Sequence, residues 1–259
     1  MTTPDAHPGR APAPASAFSA AAQPAFEGPV VALADIDFAR GRTPVLEGIS
    51  LTLAAGEVYG LLGVNGAGKT TLIRCITGLL TPAAGEVRVH APLYYLPEKV
   101  QPPGFATGLQ YLRQQQALQG AALDVAMAEE GALALGLAVS ALHRRVAGYS
   151  KGMTQKLALL AALLSPARFL LLDEPMSGLD PEARYLARNA IAAERRAGRC
   201  VLLSAHGLDE AASLCDRVGV LHQGRLAWND SVAGLLEATG AKTLETAFLT
   251  VIGALRNPP

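Results

Sequence analysis

Residues 63–70 read Gly63-Val64-Asn65-Gly66-Ala67-Gly68-Lys69-Thr70 and fill every fixed position of the pattern GxxxxGK[ST]. The glycines allow a tight loop whose backbone N–H groups can point at phosphate oxygens. The lysine can then place its charge on the β- and γ-phosphates, and the threonine hydroxyl can bind Mg²⁺. A chance glycine-rich turn is the alternative, but the octet lies between a strand-like stretch, 58–62, and a helix-like one, 71–79. The octet therefore predicts a nucleoside triphosphate site.

A pair of carboxylates follows about a hundred positions later. Asp173 and Glu174 come directly after the apolar run 169–172. Such a run is typical of a buried parallel strand, which would bring both carboxylates to the sheet edge that carries the phosphate loop. The alternative is a solvated turn at a strand end, and four preceding apolar residues argue against it.

Composition narrows the class of protein. Half of the 259 residues are apolar, and the 22 basic residues equal the 22 acidic ones, so the chain is not expected to bind nucleic acid through a basic surface. Cys75, Cys200 and Cys215 form no CxxC pair, which favours buried thiols in a reducing compartment. No apolar run has the roughly 18 residues of a membrane span.

The pattern of strands and helices predicts three segments. Residues 1–28 are rich in Ala and Pro and are expected to form a disordered tail. Strand-like runs alternate with helix-like ones over 29–235, which predicts a parallel sheet with helices on both faces, interrupted by a helical insertion at about 99–150. Within the insertion, Thr107 and Gln110 have capping-box spacing, and a second helical stretch follows over Asp124–Leu142. Residues 236–259 are expected to be a helical extension.

Three further segments give the chain its resemblance to a known family. They are Tyr149-Ser150-Lys151-Gly152-Met153, Ser177-Gly178-Leu179-Asp180 and Ser204-Ala205-His206. Their order and spacing resemble the ATPase subunit of ATP-binding-cassette (ABC) transporters over about residues 30–230. The resemblance implies an α/β P-loop NTPase cassette with a mixed, mainly parallel core sheet, a small antiparallel β subdomain and a helical subdomain. The YSKGM form of the signature segment resembles export-type ATPases that pair with separate membrane subunits.

The resemblance also implies a set of site residues. ATP would contact Arg40, Gly63, Asn65, Gly66, Ala67, Gly68, Lys69, Thr70 and Thr71, with Ser150, Gly152 and Asp180 acting across two subunits. Hydrolysis would depend on Glu174, His206 and Lys69. Mg²⁺ would be held by Thr70, Glu98 and Asp173.

The chemistry of these residue types fits such roles, and each has an alternative. Asp173 can hold Mg²⁺ through water, and Glu174 can orient or deprotonate the attacking water. Ser150 would start a helix whose N–H groups and dipole attract the γ-phosphate of the opposite subunit, although such a serine alone is more often an ordinary N-cap. His206 resembles the switch histidine that senses the γ-phosphate, although a lone histidine is more often structural.

Two positions depart from the family pattern. Glu98 stands where the family usually has glutamine, and its carboxylate can still reach Mg²⁺ or its water. Arg40 stands where an aromatic residue normally stacks on adenine, with Phe38 two residues earlier. A guanidinium can stack on a base, so the resemblance implies retained nucleotide binding with relaxed base selectivity.

The resulting hypothesis is an ATP-hydrolysing subunit that drives export. Two ATPase subunits, expected to form a homodimer, would close around ATP and Mg²⁺ and move a separate integral-membrane permease from the cytoplasmic face of the membrane. The alternative is a soluble ABC ATPase of an assembly pathway, such as iron–sulfur cluster assembly. The transported substrate cannot be read from this chain, because its path would lie in another polypeptide.

Overall fold

The computed structural model describes residues 18, 28–205 and 207–256. Its strands are β1 Val31–Arg40, β2 Thr43–Leu53, β3 Val58–Leu62, β4 Ala84–Val89, β5 Leu93–Leu96, β6 Phe169–Asp173, β7 Cys200–Ser204, β8 Arg217–His222 and β9 Arg225–Ser231. Its helices are α1 Lys69–Ile76, α2 Gly108–Leu118, α3 Val125–Ala134, α4 Val139–Leu142, α5 Lys151–Leu164, α6 Pro181–Arg196, α7 Leu208–Leu214, α8 Val232–Thr239 and α9 Leu244–Arg256.

The larger sheet has the order β5-β6-β7-β3-β8-β9. Its first five strands are parallel and β9 is antiparallel, so the predicted mixed, mainly parallel sheet is confirmed. Strand β9 was not predicted from the sequence. Its residues, RLAWNDS, are only partly buried or exposed, because β9 lies at the sheet edge and lacks the apolar run of an inner strand.

The smaller sheet is antiparallel, with the order β2-β1-β4. In the β1–β2 hairpin, the exposed outer residues of both strands continue the ladder as far as the Arg40–Thr43 pair. The turn of this hairpin is at Gly41-Arg42.

Two hydrophobic clusters cover the two faces of the larger sheet. In β6, Leu170 and Leu172 belong to one cluster, and Phe169 and Leu171 belong to the other. Strands buried on both faces read as continuous apolar runs, as the 169–172 run does. The neighbouring strands β6, β7 and β3 are therefore packed on both faces by the core.

The helical insertion lies between β5 and α5. Its predicted capping box is confirmed: Gln110 N donates to Thr107 Oγ1 at 3.2 Å, and Thr107 N donates to Gln110 Oε1 at 2.8 Å. The prediction of one continuous helical stretch over Asp124–Leu142 is wrong. The stretch divides into α3 and α4 around Gly136, whose positive φ of 65° ends α3.

The terminal regions are described only in part. Phe18 has 6% of its surface exposed and packs on the larger cluster near Gly131 of α3 and Leu160 of α5. Gly28 is exposed, and the other residues of the predicted tail lie outside the described residues. Near the other end, α8 begins at Val232 and α9 follows it. None of the described helices combines the length and apolar character needed to cross a bilayer.

Candidate nucleotide-binding site

The candidate site lies at the carboxyl edge of three neighbouring parallel strands. Ser204 at the end of β7 pairs with Leu61 of β3 on one side and with Asp173 of β6 on the other. The phosphate loop follows β3 directly, so the register brings it level with the Asp173-Glu174 pair. Ligands of open α/β sheets bind at such an edge.

The phosphate loop needs glycine where its backbone passes close to neighbouring strands. A Cβ on Gly63 would lie 2.5 Å from the carbonyl oxygen of Leu221 in β8. Gly68 has a φ of 112°, and a Cβ there would lie 2.9 Å from Leu46 and 3.0 Å from the carbonyl oxygen of Val45. Any side chain at either position would push the loop away from the sheet.

The start of α1 fits an anion. The helix begins at Lys69 with no side-chain cap, and its first turn contains no acidic residue. The first N–H groups of a helix have no intrahelical acceptor, and its dipole places partial positive charge at this end. The predicted phosphate contacts at Gly66, Gly68 and Thr70 all lie at this end.

Lys69 turns its ammonium back over the loop. Its Nζ donates to the carbonyl oxygens of Gly63 at 2.5 Å and Val64 at 3.3 Å. Partial burial lowers the pKa of Lys69, and the nearby carboxylates of Glu174 and then Asp173 oppose that shift. The structure therefore brings together the lysine and both carboxylates that the sequence predicted would share a site.

Ser204 connects the two carboxylate residues. Its Oγ donates to Asp173 Oδ1 at 2.5 Å and accepts from the backbone N–H of Glu174 at 3.0 Å. Asp173 is buried, whereas Glu174 is partly exposed and has a left-handed φ of 51°. Strained φ values of this kind cluster at functional sites and persist only when their surroundings hold them. Sequence reasoning gave Ser204 no role of its own.

We predict that Ser204→Ala lowers the free energy of unfolding by about 2 kcal/mol, because a hydrogen bond to a charged group contributes about 1.5–3 kcal/mol. It should also lower ATPase kcat, since the Asp173 carboxylate loses its donor and the backbone N–H of Glu174 loses its acceptor. Chemical denaturation and steady-state kinetics measure the two effects. Ser213→Ala, which removes an exposed hydroxyl from α7, is the matched control. Equal behaviour of the two variants would contradict the role given to Ser204.

The predicted Mg²⁺ residues lie at the same edge. Glu98 comes two residues after the end of β5, which pairs with β6 beside Asp173. Burial raises the pKa of Tyr95, and the charges of Asp173 and Glu98 also raise it, so both carboxylates lie near this one phenol. Among the described residues, no group of three or more His, Cys, Asp or Glu could hold a metal ion. The Thr70 hydroxyl and the phosphate oxygens of a nucleotide are further oxygen ligands of the kind that Mg²⁺ takes.

The signature segment begins α5. Ser150 is its N-cap and accepts from Met153 N at 3.2 Å, so its ordinary capping role is present. A Cβ on Gly152 would lie 3.2 Å from the carbonyl oxygen of Gly178, which places the start of α5 against the 177–180 loop. Within the described residues, no hydrogen bond joins Ser150 or Gly152 to the phosphate loop.

Asp180 and Gln155 fix the segments around the acidic pair. Asp180 caps α6 by accepting from Ala183 N at 2.8 Å, and this hydrogen bond lowers its pKa. Gln155 of α5 is buried and donates its Nε2 to the carbonyl oxygen of Pro175 at 2.9 Å. Sequence reasoning missed Gln155. The available signal was a polar side chain shortly before the apolar run 157–164.

The roles of Arg40 and His206 both stay predictions. Arg40 is exposed at the end of β1 and pairs with Thr43 across the hairpin, while Phe38 is partly buried opposite Leu46. The base-stacking role of Arg40 stays a prediction. His206 lies outside the described residues, two positions after the end of β7 in the sequence.

Comparisons with known proteins agree with this geometry. The ABC transporter family model matches residues 46–177. ABC transporter ATP-binding protein NatA of Bacillus subtilis is 33% identical over 218 residues, covering 78% of this chain and 88% of NatA. Nod factor export ATP-binding protein I of Rhizobium meliloti is 35% identical over 206 residues, covering 74% of this chain and 62% of that protein.

A solved structure shows the same fold. It is described as the ATP-binding subunit of an ABC transporter, with a TM-score of 0.75 and 27% identity, and the match covers 86% of this chain and 99% of that one. The chain spans 62% of the length of the Nod factor export protein. The comparisons therefore establish the ATP-binding cassette, and they do not assign the activity of that whole protein to this chain. The family model matches residues 46–177, and the chain shares its fold with a solved ATP-binding subunit. The chain therefore belongs to the ABC transporter family and forms the ATP-binding and ATP-hydrolysing domain of that family.

Proposed function

We propose that this chain is the ATPase subunit of an ABC exporter and acts on a separate integral-membrane permease. The observation that carries the proposal is the assembly of Lys69, Asp173 and Glu174 beside the phosphate loop. A relative at 35% identity is described as a Nod factor export ATP-binding protein, and this supports export as the direction. The chain would then work in the cytoplasm, on the inner face of the membrane.

In the proposed reaction, each residue acts at a stated atom. Lys69 Nζ leaves the loop carbonyls to bind the β- and γ-phosphates, and the N–H groups at the start of α1 hold the other phosphate oxygens. Asp173, Thr70 and Glu98 would hold Mg²⁺, and the bound ion would supply positive charge beside those oxygens. Glu174 accepts a hydrogen bond or a proton from the attacking water, and His206 contacts the γ-phosphate.

Two copies of the chain would be needed for each site. Ser150 and Gly152 have no hydrogen bond to their own phosphate loop among the described residues, yet they begin a helix whose first turn lacks an acidic residue. Such a helix start favours an anion. We propose that it meets the γ-phosphate held by a second ATPase subunit, with Asp180 in the loop between the two sites.

The helical insertion would contact the permease. Phe105, which precedes α2, has 81% of its surface exposed, Leu118 at the end of α2 has 72% and Leu133 in α3 has 55%. Large apolar side chains left in water are typical of surfaces that bind another protein. The balanced formal charge supports a protein partner over nucleic acid.

Affinity purification from membranes tests the function. The tagged Glu174→Gln chain is extracted in mild detergent with ATP and Mg²⁺, and stoichiometric co-purifying proteins are identified. We expect a partner with several apolar spans, and its recovery should fall when Phe105→Ser is added. Lys69→Ala is the control for dependence on nucleotide. A clean homodimer or a partner without membrane spans would contradict the exporter and favour the soluble assembly ATPase, for example of iron–sulfur clusters.

A further inference from the structure

Arg184, in the first turns of α6, contacts two segments that border the candidate site. Its Nε donates to the carbonyl oxygen of Leu179 at 3.0 Å, in the 177–180 loop. Its guanidinium Nη1 lies 3.6 Å from Glu210 Oε1, in α7. One planar side chain therefore joins the loop beside the signature segment to the helix that follows His206.

Glu210 in turn packs on the start of α7. A Cβ on Gly207 would lie 3.2 Å from Glu210 Cδ, so the carboxylate folds back over the first residue after His206. The start of α7 has no side-chain cap, because Gly207 is its N-cap. The Arg184–Glu210 contact thus holds this end of α7 against α6 through side chains.

The same residues line a cleft that reaches the candidate catalytic groups. Its volume is about 350 Å³, and its walls include Glu174, Ser204, Arg184 and Glu210. Movement of the 177–180 loop or of α7 would therefore change the space next to Glu174. A fork-shaped guanidinium can bind two acceptors in set directions, and in Arg184 these are the carbonyl oxygen of Leu179 and the carboxylate of Glu210.

We propose that Arg184 is a positioning residue that couples the 177–180 loop to α7 and so sets the geometry of the catalytic groups. The Arg184–Glu210 ion pair should contribute little to the free energy of unfolding. About half of the Arg184 side chain is exposed, and exposed ion pairs add little to stability. The inference deepens the proposed function, because it assumes that Glu174 and His206 act in hydrolysis.

Arg188 provides a matched control on the same pair of helices. One turn later in α6, its Nη1 donates to Ser213 Oγ at 3.2 Å, near the far end of α7. Arg188 thus joins α6 to α7 as Arg184 does, without reaching the 177–180 loop. Loss of general α6–α7 contact should affect both arginines alike, whereas loss of the proposed coupling should affect Arg184 alone.

The test measures kcat and KM for ATP with the purified full chain. We expect Arg184→Ala to lower kcat about tenfold, within the range for residues that couple two sites, with KM for ATP and the thermal midpoint close to wild type. Arg188→Ala should leave kcat near wild type. An equal loss of kcat in both variants would overturn the proposal. A higher KM for ATP in Arg184→Ala with kcat unchanged would also overturn it.

A double-mutant cycle separates coupling from independent damage. If the ion pair carries the coupling, Arg184→Ala with Glu210→Ala should be no slower than the slower single variant, since residues in one network do not act additively. Fully multiplicative effects would overturn the proposal. Glu174→Gln in the same assay distinguishes failure of the proposed function from failure of the proposed coupling. Full turnover by Glu174→Gln would contradict the catalytic role of Glu174, whatever the result for Arg184→Ala.

Discussion

Glu174→Gln is expected to lower ATP turnover about a thousandfold, since a positioned general base contributes about 10²–10⁴ to rate. The amide keeps the size of the side chain but cannot accept a proton from water. ATP binding should remain, because Lys69 and the start of α1 make the phosphate contacts. The variant should therefore accumulate in its ATP-bound form.

Single-turnover hydrolysis and equilibrium ATP binding measure the two halves of this result. Glu182→Gln is the matched control, because Glu182 is an exposed acid in the first turn of α6, eight positions later along the chain. It should hydrolyse ATP at the wild-type rate. Near-wild-type turnover by Glu174→Gln would show that another group activates the water.

Lys69→Ala is expected to weaken ATP binding about thirtyfold, because a charge-assisted hydrogen bond contributes about 1.5–3 kcal/mol. The ammonium lies over the loop carbonyls and is partly buried there, close to two carboxylates. Its removal leaves the phosphates without a compact positive charge at the position where Asp173 and Glu174 add negative charge. The effect should be larger for ATP than for AMP, which lacks the β- and γ-phosphates.

Titration with fluorescent analogues of ATP and AMP measures this difference. Lys242→Ala, which removes an exposed lysine from the α8–α9 connection, is the control and should bind both nucleotides as wild type does. An equal loss of affinity for ATP and AMP in Lys69→Ala would indicate damage to the loop, and not the loss of a phosphate contact.

Much of the site was predictable because its residues act through local sequence. The octet 63–70 contains both the glycines for the turn and the lysine, and the apolar run 169–172 fixes the strand that delivers Asp173. Ser150 and Asp180 are N-caps, which a short segment also reveals. The family resemblance added the order of the segments.

Other parts depend on contacts that no short segment contains. Ser204 matters because strand register places its hydroxyl between two residues about 30 positions earlier, and Gln155 because α5 passes the carbonyl of Pro175. The break between α3 and α4 depends on the left-handed backbone at Gly136. A glycine in the sequence permits that conformation but does not by itself require a helix to end. Strand β9 forms because β8 offers it an edge, although its own sequence is mostly polar.

We propose that two copies of this chain close around ATP, and the mass of the Glu174→Gln chain in solution distinguishes one copy from two. Light scattering after gel filtration should give twice the 26.8 kDa of one chain in ATP and Mg²⁺, and 26.8 kDa in ADP and Mg²⁺. Adding Gly152→Glu, which sets a carboxylate at the start of α5, should abolish the ATP-dependent dimer by repelling the γ-phosphate. A monomer in both nucleotides, or the same dimer in both, would contradict the claim.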